Sequence, residues 1–369
     1  MSESRWTLVD GSRLITESLA QAGADAFVGY PITPASWIYQ YASKRFPVAL
    51  AAPDEITTLQ WMSGLSAAGH LPVTSTSFPG LALMVESINM AYMMELPMVI
   101  VLVQRLGPAT GTATAGAQGD VQLVASLISG GYPLPVFCIS DFADCWSLPP
   151  RALQTAVDAR TPVILLTSKE MVMTQRDLDL ATLPPVKPVE RAFYNGNEPY
   201  QPYAPSPDVP VPPFLPVGQG QHQVRLTAST HDCRGIIQHT SPEAMANTRR
   251  LQGKVESLTP ALFELDEQEG AETLVVAYDI TAEAARDAVE TLRREGIPVS
   301  LFVPKTLWPT PPEYYAIFGR YRKLVFAEEN LQGQWARLLF GQHLAPHVRT
   351  VTSVGAMIPP TAIAQEVAA

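Results

Sequence analysis

A chain of 369 residues is long enough for two or three domains of the usual size of about 100–200 residues. Hydrophobic residues make up 47% and charged residues 16%, which excludes general disorder and implies broad burial, in the chain's own core or against partners. The net charge of −10, with no basic run, makes nucleic acid and anionic membrane poor partners.

Taken in chain order, helical spacing covers Ser12 to Ala22 and stops at Gly23, and a short strand follows at Ala26 to Gly29. Helical patterns at Ser36 to Phe46 and Glu55 to Ala68 precede a strand at Val73 to Ser77, a helix at Leu81 to Met94 and a buried strand at Met98 to Val103. A helix at Pro150 to Asp158 and a strand at Pro162 to Thr167 close this part. Alternation of this kind predicts a doubly wound, mostly parallel sheet with helices on both faces. Eleven of the 34 prolines then fall between Pro184 and Pro216, where missing amide donors rule out a helix or central strand. The aromatics Phe193, Tyr194, Tyr200, Tyr203 and Phe214 favour a strap lying on a surface over a solvated linker.

The α/β pattern resumes with strands at Thr273 to Ala277, Val299 to Val303 and Leu324 to Ala327, and helices at Ala282 to Glu295 and Gln332 to Leu339. The expected division is a first α/β domain over 1–180, an extended connector over 181–230 and a smaller α/β domain over 231–369. Three cysteines, Cys138, Cys145 and Cys233, form no Cys-x-x-Cys and no disulfide framework, and the opening Met-Ser-Glu-Ser-Arg-Trp lacks the layout of a signal peptide. A cytoplasmic protein is expected. Apolar runs such as Val99 to Val103 are far shorter than the ~18 residues of a membrane span.

Ligands of open α/β sheets bind beyond the carboxyl ends of strands. There the sequence places Gly29-Tyr-Pro-Ile-Thr-Pro34, Thr74-Ser-Thr-Ser-Phe-Pro-Gly80 and the small-residue loop from Gln104-Arg105 to Gln118-Gly-Asp120. Each has a plain structural reading: a strand-to-helix turn, a hydroxyl helix cap, an arginine paired with a structural acid. Asp54-Glu55 could merely favour a helix dipole, or could hold a buried glutamate for proton transfer. Neither His343 with His347, separated by Pro346, nor His231-Asp-Cys233 makes a credible metal site.

These segments, with Glu86, Glu95-Leu-Pro-Met, Gly107-Pro108, Thr110-Gly111, Thr306-Leu-Trp-Pro309 and Glu328-Glu-Asn330, resemble the α subunit of the 2-oxoacid:ferredoxin oxidoreductases. The resemblance implies a pyrimidine-type thiamin-diphosphate domain followed by a transketolase C-terminal-like domain. It implies oxidative decarboxylation of a 2-oxoacid, 2-oxoglutarate favoured, with CoA to acyl-CoA and low-potential electrons. Pyruvate or a branched-chain 2-oxoacid, a non-redox decarboxylase or transketolase-like subunit, and a scaffold subunit that has lost catalysis stay open. Carried over by motif, Tyr30, Pro31, Ile32, Thr33, Glu55 and Ser77 would bind the cofactor. Glu55, Arg105 and Thr33 would be catalytic, with Thr33, Arg105 and Thr110 holding substrate. The Gly-Asp-Gly…Asn signature for the diphosphate is absent, the nearest string being Gly119-Asp-Val. Mg²⁺, that half-site and an iron–sulfur cluster are therefore expected on a β subunit. A γ subunit and ferredoxin or an NAD-linked acceptor would complete the system. Departures from the family pattern are Phe78 for a usual Gly, Ala115-Gly-Ala117 for a usual Lys-Thr-Glu, and Asp279-Ile280 for a usual Gly-Ser.

Overall fold

The computed structural model describes residues 6–205, 209–220 and 222–369. The first residues of the N-terminal reading and residues 206–208 and 221 of the expected connector lie outside the described residues.

Among the described residues the strands form three sheets. The largest has the spatial order Thr306–Trp308, Val136–Cys138, Pro162–Ser168, Met98–Gln104, Pro72–Thr76, Ala26–Gly29, Val48–Ala51. All its pairings are parallel except that of the outer strand Thr306–Trp308. Met98–Gln104 and Pro162–Ser168 are buried along their whole length, as expected of strands covered on both faces. Their side chains alternate: Ile100, Leu102, Ile164 and Leu166 enter one core, while Val99, Val101, Val103, Val163 and Leu165 enter the other.

The second sheet runs Val348–Thr352, Lys323–Glu328, Thr273–Ala277, Ser300–Pro304, Phe263–Asp266, the last strand antiparallel. One face is covered by the helices Thr281–Arg294 and Pro360–Ala368. The other, with Leu274, Val276, Phe302 and Phe326, continues the core of the first sheet. Two α/β layers thus share one apolar interior, and the predicted α/β class with mostly parallel sheets is borne out. A third, two-stranded antiparallel sheet pairs Trp6–Asp10 with Gln175–Asp179.

The helix expected from Pro150 begins at Asp144 and contains Pro149 and Pro150. Pro150 has no amide for the Trp146 carbonyl four residues back; the Ser18 hydroxyl donates to that carbonyl instead, at 2.5 Å. A further helix, Pro242–Leu258, starts at a Ser241 cap whose Oγ accepts from the Ala244 amide. The proline-rich segment lies on the protein with Tyr200, Tyr203, Phe214 and Leu215 buried. Arg160 holds it by donating to the carbonyls of Pro202 and Pro212, at 3.0 and 3.1 Å.

Candidate active site at the carboxyl edges of the two sheets

Strands Ala26–Gly29, Val48–Ala51, Pro72–Thr76 and Met98–Gln104 are parallel neighbours, so the segments that follow them meet at one edge. The Asp54-Glu55 pair divides its work there. Asp54 caps the helix Glu55–Ala67, its Oδ1 accepting from the Thr57 amide at 2.7 Å. Glu55, the first helical residue, is only 6% exposed. Its carboxylate lies against Gly80, where an added Cβ would come within 2.2 Å of Thr76 Oγ1 and 2.6 Å of Glu55 Oε1. Glycine is thus required by space alone. Among the described residues nothing hydrogen-bonds the Glu55 carboxylate. Ser77 sits at the cap position of helix Phe78–Met93 yet makes no capping bond, and its Oγ and Thr74 Oγ1 are buried without partners. The capping reading of this loop therefore fails for Ser77.

Arg105 follows the central strand and is 8% exposed. Its Nη1 donates to the Thr33 carbonyl at 2.6 Å, which brings two of the expected site residues together. It forms no ion pair among the described residues, and its Nε is buried and unpartnered. The Thr33 side chain and Pro31 are exposed and Ile32 is half-buried. Tyr30 is 39% exposed. Thr110 is exposed on the loop.

A cavity of about 380 Å³ opens beside Arg105, walled by Phe78, Pro108, Asp120, Glu329, Asn330 and Gln334 among others. Asp120 there has a buried, unpartnered Oδ2. Burial pushes its carboxyl up to about 7, opposed by the charge of Arg105. Phe78 adds the bulk that its replacement of glycine implied. The small residues 115–117 have a local cause: the Gly116 amide donates to Glu170 Oε1 at 3.1 Å, and a Cβ on Gly116 would overlap Glu170 Oε2.

The second sheet delivers its own carboxyl edge to this place. Gln104 Nε2 donates to Asp279 Oδ2 at 3.3 Å and Ser168 Oγ to Asp279 Oδ1 at 2.8 Å, while Gln104 Oε1 accepts from the Asp120 amide at 3.2 Å. Gln118 and Glu329 exchange a reciprocal pair, Gln118 N to Glu329 O at 2.8 Å and Glu329 N to Gln118 Oε1 at 2.7 Å. Asp279 has a left-handed backbone, φ 53°, a conformation that suits the glycine usual at this position. Its own carboxylate compensates by accepting the Ile280 amide at 2.8 Å, and burial pushes that carboxyl up to about 8. Sequence reasoning noted Gln118, Asp120, Asp279 and Glu329 only as matching or departing letters. It gave them no place in the site.

Residues 17–250 match the family model described as pyruvate flavodoxin/ferredoxin oxidoreductase, thiamine diphosphate-binding, and residues 271–343 match pyruvate:ferredoxin oxidoreductase core domain II. The chain belongs to the pyruvate flavodoxin/ferredoxin oxidoreductase family. Among its relatives, the 2-oxoglutarate oxidoreductase subunit KorA of Mycobacterium tuberculosis is 32% identical over 90% of this chain and 52% of its own length. The ketoisovalerate oxidoreductase subunit VorB of Methanothermobacter thermautotrophicus is 31% identical over 83% of this chain and 81% of its own. A solved 2-oxoglutarate:ferredoxin oxidoreductase from Magnetococcus marinus, with 2-oxoglutarate, coenzyme A and succinyl-CoA bound, superposes with a TM-score of 0.93 at 28% identity, over 98% of this chain and 65% of that one. The chain therefore spans about half the length of the mycobacterial subunit and under two thirds of the solved chain.

The residues present fit the cofactor named in the family's description. A buried carboxylate with no partner of its own, beside unpartnered hydroxyls and a glycine that leaves space, offers the acceptor and the opening that a polar heterocycle needs. Among the described residues no cluster of three or more His, Cys, Asp or Glu is placed to hold a metal ion, and no helix is long and apolar enough to cross a membrane.

Proposed function

We propose that this chain is the α subunit of a thiamin-diphosphate-dependent 2-oxoacid oxidoreductase. With a β subunit it would decarboxylate 2-oxoglutarate oxidatively, giving CO2, succinyl-CoA and low-potential electrons for ferredoxin or an NAD-linked acceptor. The observation that carries the reading is the pair at one strand edge of Glu55, 6% exposed with a carboxylate that no described residue hydrogen-bonds, and the buried, unpartnered Arg105 Nε. The relatives' names and the acids bound to the solved enzyme support it.

When bound, thiamin diphosphate supplies a nucleophilic carbon and an electron sink for decarboxylation. This chain's own contribution is to hold and orient. Glu55, 6% exposed, would hold a proton between its carboxylate and the aminopyrimidine nitrogen. Tyr30, Pro31, Ile32 and Ser77 would wall the pyrimidine side. Arg105 takes the substrate carboxylate with a guanidinium already steadied by the Thr33 carbonyl, so less order is lost on binding. The hydroxyls of Thr33 and Thr110 contact the substrate. Lacking both Gly-Asp-Gly and Cys-x-x-Cys, the chain leaves Mg²⁺ and the iron–sulfur cluster to the β subunit, with a γ subunit completing the CoA contact. The three free thiols suit a reducing cytoplasm.

The test is an assay of the chain co-purified with its β partner, using CoA and a low-potential dye, across 2-oxoglutarate, pyruvate and 3-methyl-2-oxobutanoate. The highest kcat/KM is expected for 2-oxoglutarate. Preference for either other acid would change the substrate assignment, and failure with all three would overturn the function.

A further inference from the structure

The cavity beside Arg105 holds more acid than its one cation can neutralise. Asp120 and Glu329 both wall it, 5% exposed each, and a substrate carboxylate would be a third acid against a single guanidinium. The two protein acids are not equivalent. Glu329 is engaged, its Oε1 accepting from the Ile358 amide at 3.2 Å. Asp120 is held only through its backbone, its amide donating to Gln104 Oε1 and its carbonyl accepting from the Val124 amide. Its Oδ2 is buried with no partner, as is Arg105 Nε, and both residues line the cavity. A buried oxygen without a donor is costly unless it carries a proton or meets a ligand.

We propose that Asp120 binds the 2-oxoacid in its protonated form, its carboxyl donating a hydrogen bond to the same substrate carboxylate that Arg105 holds. The inference rests on the proposed role of Arg105. The proton stays on Asp120 throughout, so the group recognises a carboxylate as a donor and repels it once ionised. The other charged groups on surrounding elements are Arg105, Glu328, Glu329 and Asp279, and Glu170 with Lys169 at the Gly116 end of the loop. Glu328 is fully engaged by Tyr278, Asn330 and the amides of Trp335 and Ala336. Burial that raises the Asp120 carboxyl to about 7 places its ionisation where an assay can follow it.

The experiment is steady-state kinetics of the αβ complex from about pH 6 to about pH 8.5, for the wild type, Asp120→Asn and Arg105→Lys, with 2-oxoglutarate as substrate. A single ionisation near 7 predicts that wild-type KM rises about thirtyfold across this range while kcat changes little. Asp120→Asn, a permanent neutral donor, is expected to keep the low KM at every pH. Arg105→Lys is expected to raise KM about tenfold or more throughout. If Arg105→Lys raises KM but the wild-type profile is flat, or Asp120→Asn retains the full rise, the Asp120 proposal is wrong and the Arg105 reading stands. An unchanged KM in Arg105→Lys overturns both. The wild-type profile needs no variant to fold.

Discussion

The central strand Met98–Gln104 ends in two buried polar clusters of opposite character. Before its amino end, Glu95 is fully buried at φ 56°, and both its oxygens are paired. Oε2 accepts from Lys254 Nζ at 2.7 Å and from Arg250 Nη1 at 3.1 Å, and Oε1 accepts from Arg250 Nη2. These cations, with Arg160, hold the Glu95 carboxyl far below its ordinary value against the opposing effect of burial. The cluster fastens the helix Pro242–Leu258 and the strap to the first sheet. Beyond the carboxyl end, Arg105 Nε, Asp120 Oδ2, Ser77 Oγ and Thr74 Oγ1 are unpartnered, and burial raises Asp120 and Asp279. Apart from Arg160 Nη2, the first cluster is saturated, as a structural clamp should be. The second holds its capacity open, which is what a ligand site requires.

Three perturbations should separate the two ends. Glu95→Gln leaves Lys254 and Arg250 uncompensated, and should cost about 3–5 kcal/mol in denaturant unfolding while the folded complex keeps its turnover; a loss below about 1 kcal/mol would deny the clamp. Gly80→Ala drives a methyl into Thr76 and Glu55 and should lower turnover about a hundredfold through misplacement of the carboxylate, with thiamin diphosphate titrated by calorimetry as the second readout. Unchanged affinity and rate would show that this packing has no functional part. The third effect is on pH dependence. An aspartate raised to about 8 when folded and ~3.9 when unfolded binds the extra proton in the native state. Its stabilising contribution is present below about pH 4 and fades as pH rises through about 8. Asp279→Asn should flatten Tm over that window, and an identical slope in wild type and variant would contradict the burial argument.

Much of the architecture was legible because fully buried parallel strands are written as continuous apolar runs rich in β-branched residues, such as Val99 to Val103. What escaped depends on partners distant in sequence. The prolines at 149 and 150 hid the first turns of their helix, since the compensating donor is Ser18. Thr306–Trp308 could not be placed because it joins Val136–Cys138 in the first sheet. The Ser241-Pro242 start of helix Pro242–Leu258 was a readable signal that went unused. At the site, an acid pair opening a helix marked Glu55 but could not distinguish cap from buried acid; the Asp54–Thr57 bond makes that distinction. The left-handed turn of Asp279 and the cavity at Asp120 exist only once the two sheet edges meet.

Turnover of the αβ complex carrying Glu55→Gln, compared with wild type after both are shown to assemble, tests most directly the claim that the unsaturated edge is the catalytic half-site. Loss of at least about a hundredfold in kcat, in keeping with a missing proton-transfer group, is the predicted result. Full 2-oxoacid oxidation by the variant would contradict it.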